Sequence, residues 1–167
     1  MRVPQREQVA LAKLETTVRA YGASERRWFC GGGVHTWLAT EAETGGAYLL
    51  FEDALDAGKV TPLHQHPEAD ETFYMLEGEV RLHIAGTEQG LAAGGIAIIP
   101  RGVPHAFMVA TPTARMLCLQ TPGGGEVFYR HASEPAGAGE PPLPDFGRVR
   151  AAAAATGAIE ILGPPPF

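Results

Sequence analysis

The residues of this sequence best placed to do chemistry are three histidines and a glutamate. His64 and His66 stand two apart in the segment Gly58-Lys-Val-Thr-Pro-Leu-His64-Gln-His66-Pro-Glu-Ala-Asp-Glu71, which closes on Glu71. On a strand, residues i and i+2 share a face, so both imidazoles are expected to project into one cavity. Pro67 to Asp70 can turn the chain, letting Glu71 re-enter that cavity from the next strand. A second segment, Gly94-Gly95-Ile96-Ala97-Ile98-Ile99-Pro100-Arg101-Gly102-Val103-Pro104-His105, places another imidazole just after a Pro/Gly turn. Three imidazoles and one carboxylate suit a borderline divalent metal such as nickel, iron, manganese, zinc, cobalt or copper. Calcium and magnesium prefer all-oxygen shells. A lone His-x-His is more often two unrelated histidines. Here the glycines, the prolines and His105 fall at compatible spacings, and that reverses the balance.

Positioning such a cluster takes strands. From Trp28 onward short apolar runs alternate with Gly, Pro or Asp clusters: Trp28–Phe29, Val34–Leu38, Ala47–Phe51, Thr72–Leu76, Val80–Ile84, Ile96–Ile99, Ala106–Val109 and Arg115–Gln120. Runs this short and rich in Phe, Tyr, Val and Ile read as strands, with Glu77-Gly78 and Ala85-Gly86-Thr87 as tight turns. Together they imply an all-β sandwich or barrel over residues 28–130 and exclude a parallel α/β sheet. Residues 1–27 form a polar arm, in which Val9, Leu11, Leu14 and Val18 make either a short helix face or a frayed segment. Residues 131–144 read as a linker, because the stretch from Ser133 to Pro144 lacks the apolar surface to fold alone. In residues 145–167, Asp145 is expected to cap a helix from Phe146 to Thr156 that ends at Gly157. Ile159, Ile161 and Leu162 would tie the extended tail back onto the barrel.

Composition narrows the partners. A length of 167 residues fits one domain. The net charge of −6, with thirteen basic residues scattered among nineteen acidic ones, argues against nucleic acid. The amino-terminal stretch lacks the apolar core of a secretory signal, and no run approaches the length of a membrane-spanning helix, so the expectation is a soluble, cytoplasmic chain. Cys30 and Cys118 are then expected as free buried thiols. Sheet edges that need covering suggest a homodimer.

The first segment resembles one cupin motif, G(x)5HxH(x)4E(x)6G, at Gly58, His64, His66, Glu71 and Gly78. The second resembles its companion, G(x)5PxG(x)2H, at Gly94, Pro100, Gly102 and His105, with Val109 where that motif usually has Asn. The resemblance covers residues 45–120. It implies a double-stranded β-helix, or jelly-roll barrel, with His64, His66, Glu71 and His105 as ligands to one divalent transition metal. The phrases TGGAY, DETFYMLEGEV, PRGVPHAF and IEILGPPP look like single-domain bacterial cupins of the quercetin-dioxygenase-like type. In that group the metal binds a flavonol and molecular oxygen, and the ligand glutamate deprotonates the flavonol. Carried over, Glu71 would be both ligand and catalytic base.

Phe51, Phe73, Met75 and Phe107 either line an aromatic-binding cavity or are plain core residues. His35, His83 and His131 lack partners at ligand spacing and read as surface or satisfied core histidines. Arg101, beside the metal turn, either steers an anionic substrate or is a solvated charge. Gly31-Gly32-Gly33 and Gly123-Gly124-Gly125 are not phosphate loops, since neither leads into a Lys-Ser/Thr helix start. Three function classes stay open: a metal-dependent dioxygenase acting on a flavonol-like or other enolic aromatic substrate, a non-redox metal-dependent cyclase or isomerase, and a small-molecule-binding cupin without turnover.

Overall fold

The computed structural model describes residues 14–167. Its strands are β1 (Arg26–Phe29), β2 (Val34–Ala39), β3 (Leu49–Asp56), β4 (Leu63–Gln65), β5 (Asp70–Glu77), β6 (Glu79–Ile84), β7 (Thr87–Ala92), β8 (Ile96–Ile99), β9 (His105–Val109), β10 (Thr113–Thr121), β11 (Ser133–Pro135) and β12 (Glu160–Gly163). Helices are short: α1 (Glu41–Thr44), α2 (Glu126–His131) and α3 (Phe146–Thr156). The strands pair antiparallel in two sheets, a seven-stranded one ordered β11-β1-β2-β3-β10-β5-β8 and a five-stranded one ordered β12-β4-β9-β6-β7. This is the all-β architecture that the sequence implied.

The strands next to the site follow a period of two. β3 buries Leu49, Phe51, Asp53 and Leu55; β5 buries Glu71, Phe73 and Met75; β10 buries Ala114, Met116, Cys118 and Gln120. Cys118 faces Phe51 on one side and Phe73 on the other. A one-residue slip would turn each set outward. Each large apolar side chain contributes about 1.5–3 kcal/mol by burial, so the register is strongly specified. The exceptions to apolarity at these inward positions are Glu71 and Gln120, which belong to the site described below, and Asp53, which lines the cavity beside it.

Two turns carry out what their glycines suggested. Ala85 and Gly86, both at positive φ, close the β6–β7 hairpin. Gly78 takes the chain from one sheet to the other, and a Cβ there would lie 2.3 Å from the Thr113 carbonyl oxygen. Helix α3 starts where the Asp145 carboxylate accepts from the Arg148 amide and ends at Gly157 in the left-handed conformation. The tail after it forms β12, which pairs Ile161 with His64.

Other segments depart from expectation. Ser133–Pro135, read as linker, forms β11 on the edge beside β1. Its pairing rests on backbone hydrogen bonds and on Ser133, whose hydroxyl donates to the Tyr129 carbonyl and accepts from Arg27 Nε. Such a strand has no apolar period to detect. The same holds for β7, whose side chains are mostly exposed. Helix α1 did carry a signal, the capping box Thr40-Glu41-Ala42-Glu43, in which Thr40 Oγ1 and the Glu43 side chain cap each other's amides. Of the four apolar residues proposed for an amino-terminal helix face, Val9 and Leu11 lie outside the described residues. Leu14 and Val18 are exposed and lie in no helix.

Candidate metal centre

Strands of both sheets bring the four predicted ligands together. The β4–β9 ladder sets His64 directly opposite His105, and His66 follows β4 by one residue. Glu71 enters from β5, in the other sheet. The loop before His105 is pinned to this region twice: the Gly102 amide donates to the His66 carbonyl at 2.9 Å, and Arg101 pairs with Asp70 through two guanidinium contacts of 3.1 Å. Arg101 thus belongs to an exposed ion pair that holds the loop.

One ligand atom from each of the four residues lies within 4.8 Å of the others. Glu71 Oε2 is 2.9 Å from His105 Nε2 and 3.2 Å from His66 Nε2. Donor atoms held about 2.1 Å from an ion at right angles would be about 3.0 Å apart, so this spacing suits neighbouring positions on one metal. The remaining nitrogens are already used in two of the rings. His64 Nδ1 is 2.9 Å from the Pro62 carbonyl oxygen, and His105 Nδ1 is 2.9 Å from that of Val103. A carbonyl accepts only from N–H, so Nδ1 carries a proton in both rings and Nε2 is the nitrogen left to ligate a metal, His105 giving up to the ion the place its Nε2 proton takes against Glu71. In His66, Nδ1 is buried without a partner and Nε2 approaches Glu71 Oε2 without hydrogen-bond geometry, a costly arrangement that a metal bond at Nε2 would relieve. The residues fit a divalent transition metal.

Charge balance agrees. Burial alone would raise the Glu71 pKa, but the His66 and His105 imidazoles outweigh it and hold the carboxyl well below its usual range. Burial, together with the other two imidazoles, lowers His64 to about 3. His105 moves the other way: burial would lower it, and the hydrogen bond to Glu71 raises it.

Behind Glu71 stands a set of residues that sequence reasoning missed. Gln120 Nε2 donates to Glu71 Oε1 at 2.9 Å and to the Tyr129 hydroxyl oxygen at 2.8 Å, while Cys118 Sγ lies 3.6 Å from the same Oε1. One carboxylate oxygen is therefore held from behind while the other faces the imidazoles. A polar Gln at an inward position of β10 was the available signal for Gln120. Tyr129 sits on α2, which has no motif. Both cysteines are free and buried.

A cavity of about 60 Å³ adjoins the cluster and is lined at this end by His64, Glu71, Phe73 and Phe107. Phe51 lines it further along, whereas Met75 is fully buried and does not. Its outer wall is carboxy-terminal: Phe146 and Val149 of α3, with Ile159 and Ile161. Of the other histidines, His83 and His131 stand apart from the cavity. His35 lines it away from the cluster.

Comparison with known proteins agrees with the fold and the motifs. Residues 51–120 match the cupin domain family. Quercetin 2,3-dioxygenase of Bacillus subtilis is 27% identical over 109 residues, which is 65% of this chain but only 32% of that enzyme. The chain therefore spans about a third of that relative's length. An uncharacterized protein of Streptomyces coelicolor is 28% identical over half of this chain and 88% of its own length. Among solved structures, an RmlC-like cupin from Shewanella frigidimarina superposes with a TM-score of 0.58 at 19% identity, covering 66% of this chain and 95% of its own. Among the described residues no helix is long and apolar enough to cross a membrane. The match over residues 51–120, together with the two antiparallel sheets these residues help to build, shows a cupin fold in this chain.

Proposed function

We propose that the protein is a metal-dependent dioxygenase that acts on a flavonol-like or other enolic substrate, with His64, His66, Glu71 and His105 as ligands to one divalent transition metal. The observation that carries this reading is the convergence of three imidazoles and a buried carboxylate, with His66 and His105 both against Glu71 Oε2, in a barrel distantly similar to a quercetin 2,3-dioxygenase. A bound ion would act as a Lewis acid toward an enolic oxygen and would supply redox chemistry if it is iron, nickel, manganese, cobalt or copper. The chain's own residues do the rest. Glu71 Oε2 faces the imidazoles, which leaves Oε1 as the oxygen able to take the substrate's hydroxyl proton. Gln120 keeps that oxygen in place, and Phe73 and Phe107 keep water from the reacting face. The direct experiment is metal analysis of protein purified without added metal, followed by oxygen-electrode screening of enolic aromatics. Bound iron or nickel with oxygen uptake supports the dioxygenase; a metal-replete protein that consumes no oxygen on any of them counts against it.

A second reading draws on the size of the cavity. About 60 Å³ is less than the ~150 Å³ cavity that takes up benzene. A flavonol therefore requires the α3 and β12 wall to move outward, whereas a non-redox cyclase or isomerase working on a smaller substrate needs less displacement. Zinc in the purified protein, without oxygen uptake, would favour this alternative.

A further inference from the structure

The cavity has a second polar end. Asp53 lies opposite Met116 in the ladder and Glu71 lies opposite Gln120, so the two acids flank β10 from either side, with their carboxyl groups near enough for Glu71 to help raise the Asp53 pKa. Beside Asp53, and paired with it in register, is His35 of β2. Lys59 reaches the same place from the loop after β3, and all three side chains line the cavity. Phe51, Met116 and Cys118 make the apolar wall between this group and the imidazole cluster.

We propose that His35, Asp53 and Lys59 form a recognition subsite for a hydroxyl group at the remote end of the substrate. The proposal rests on the metal reading above for what holds the near end.

Four observations support it. First, polar groups here are buried but unpartnered. His35 is 1% exposed and Asp53 5%, yet His35 Nδ1 and Asp53 Oδ1 have no hydrogen bond, and His35 Nε2 stops 3.6 Å from Asp53 Oδ1. That separation is too long for a hydrogen bond, and leaving such groups unpaired is expensive. Second, the group is rigid. The His35 ring is packed between Phe29 and Phe51, with centroids 4.7 and 4.6 Å away, and the edge of Tyr129 closes a third side. Lys59 Nζ donates to the Gly31 carbonyl and sits 5.0 Å over the Phe29 ring.

Third, the turn Gly31-Gly32-Gly33 makes room for it. A Cβ on Gly31 would lie 3.0 Å from Lys59 Nζ and 2.6 Å from the Phe29 ring; one on Gly33, at φ +94°, would lie 3.1 Å from Asp53 Oδ1. Fourth, the hydrogen-bonding pattern selects a hydroxyl. Asp53 offers an unpaired acceptor and Lys59 has N–H donors to spare, so the ligand must both donate and accept. A carbonyl would leave Asp53 unpaired, and an anion would face a second carboxyl. Burial pushes the Asp53 carboxyl up and the Lys59 ammonium down, and it lowers His35 to about 3, so the group favours a neutral partner.

A matched pair of small enolic chelators tests this: 5-hydroxy-2-methyl-4-pyranone and its 2-hydroxymethyl analogue, which differ by one hydroxyl remote from the chelating oxygens. Affinities are measured by calorimetry on zinc-loaded protein, zinc being redox-inert. Wild type is expected to bind the hydroxymethyl probe about tenfold more tightly, as one well-placed buried hydrogen bond allows. Asp53→Leu and Lys59→Met should each bring the ratio of the two affinities to about one. Two variants are used so that misfolding of one leaves the other to decide. A hydroxymethyl probe that wild type binds no more tightly than the methyl one, or not at all, overturns the subsite; a ratio that survives both substitutions overturns it equally. The metal reading is judged separately. Zinc content, and loss of methyl-probe affinity in zinc-free protein, test that reading, while the ratio tests the subsite.

Discussion

The two ends of the cavity are both polar, both buried and built by neighbouring strands, yet they are stabilised differently. At one end the imidazoles and Glu71 already contact one another, and Glu71 is backed by Gln120 and Tyr129. At the other end His35 and Asp53 face each other without a hydrogen bond. The first arrangement is a set of donors converging on a point, which is what an ion requires. The second is a set of buried polar groups with hydrogen-bonding capacity left unused, which is what a ligand's hydroxyl requires. The difference teaches that burial of polar groups alone does not name a ligand. Convergence or separation of the lone pairs does.

That contrast can be broken most severely at the first end. The doubly substituted His64→Ala/His105→Ala protein should lose most of its metal, measured by inductively coupled plasma mass spectrometry on protein that still shows wild-type circular dichroism. Stoichiometric metal in that variant would remove the distinction between the two ends. A smaller effect separates the two roles of Glu71. If it is base as well as ligand, Glu71→Gln restored to full metal occupancy should remain slower by about 10²–10⁴-fold on an enolic substrate, because an amide cannot take the proton. Near-normal turnover at full occupancy would leave Glu71 as a ligand only.

Smaller again is the contribution of the residues behind Glu71. Gln120→Leu removes the hydrogen bond to Oε1 without touching an imidazole, and metal affinity should fall by about 10–100-fold. Unchanged affinity in a competition titration would show that Glu71 needs no support from behind. The smallest effect belongs to the far end and is read in acid. The buried His35 has its pKa lowered to about 3, so folding favours its neutral form. The stability this contributes is fully present above about pH 6.5, the unfolded value, and is lost as pH falls toward about 3. His35→Phe, between two phenylalanine rings, cannot take up that proton, so its acid-unfolding midpoint should move to lower pH by circular dichroism. An unmoved midpoint would mean that His35 is not held neutral by burial.

The same contrast governs what the sequence made legible. His64, His66 and Glu71 are close in sequence and share one cavity through strand periodicity and a turn, and His105 announced itself through its Pro-x-Gly turn. His35, Asp53 and Lys59 come from two strands and a loop, paired by a register that only the folded ladder defines. His35 therefore looked like an isolated histidine. In the same way, the apolar runs revealed the strands facing the core, whereas β7 and β11 lie at sheet edges and owe their place to backbone pairing that leaves no period in the side chains. Helix α3 was legible to its ends because Asp145 and Gly157 are local signals.

The central claim is that the four residues hold one metal ion, and X-ray absorption at the metal edge tests it most directly. Protein loaded with one equivalent of nickel should show an inner shell of nitrogen and oxygen donors at about 2.0–2.2 Å, with imidazole scattering that accounts for three histidines. The same measurement on His64→Ala/His105→Ala should lose that pattern. Fewer than two imidazoles in wild type, or a spectrum unchanged by the double substitution, would contradict the assignment of His64, His66, Glu71 and His105 as the metal centre.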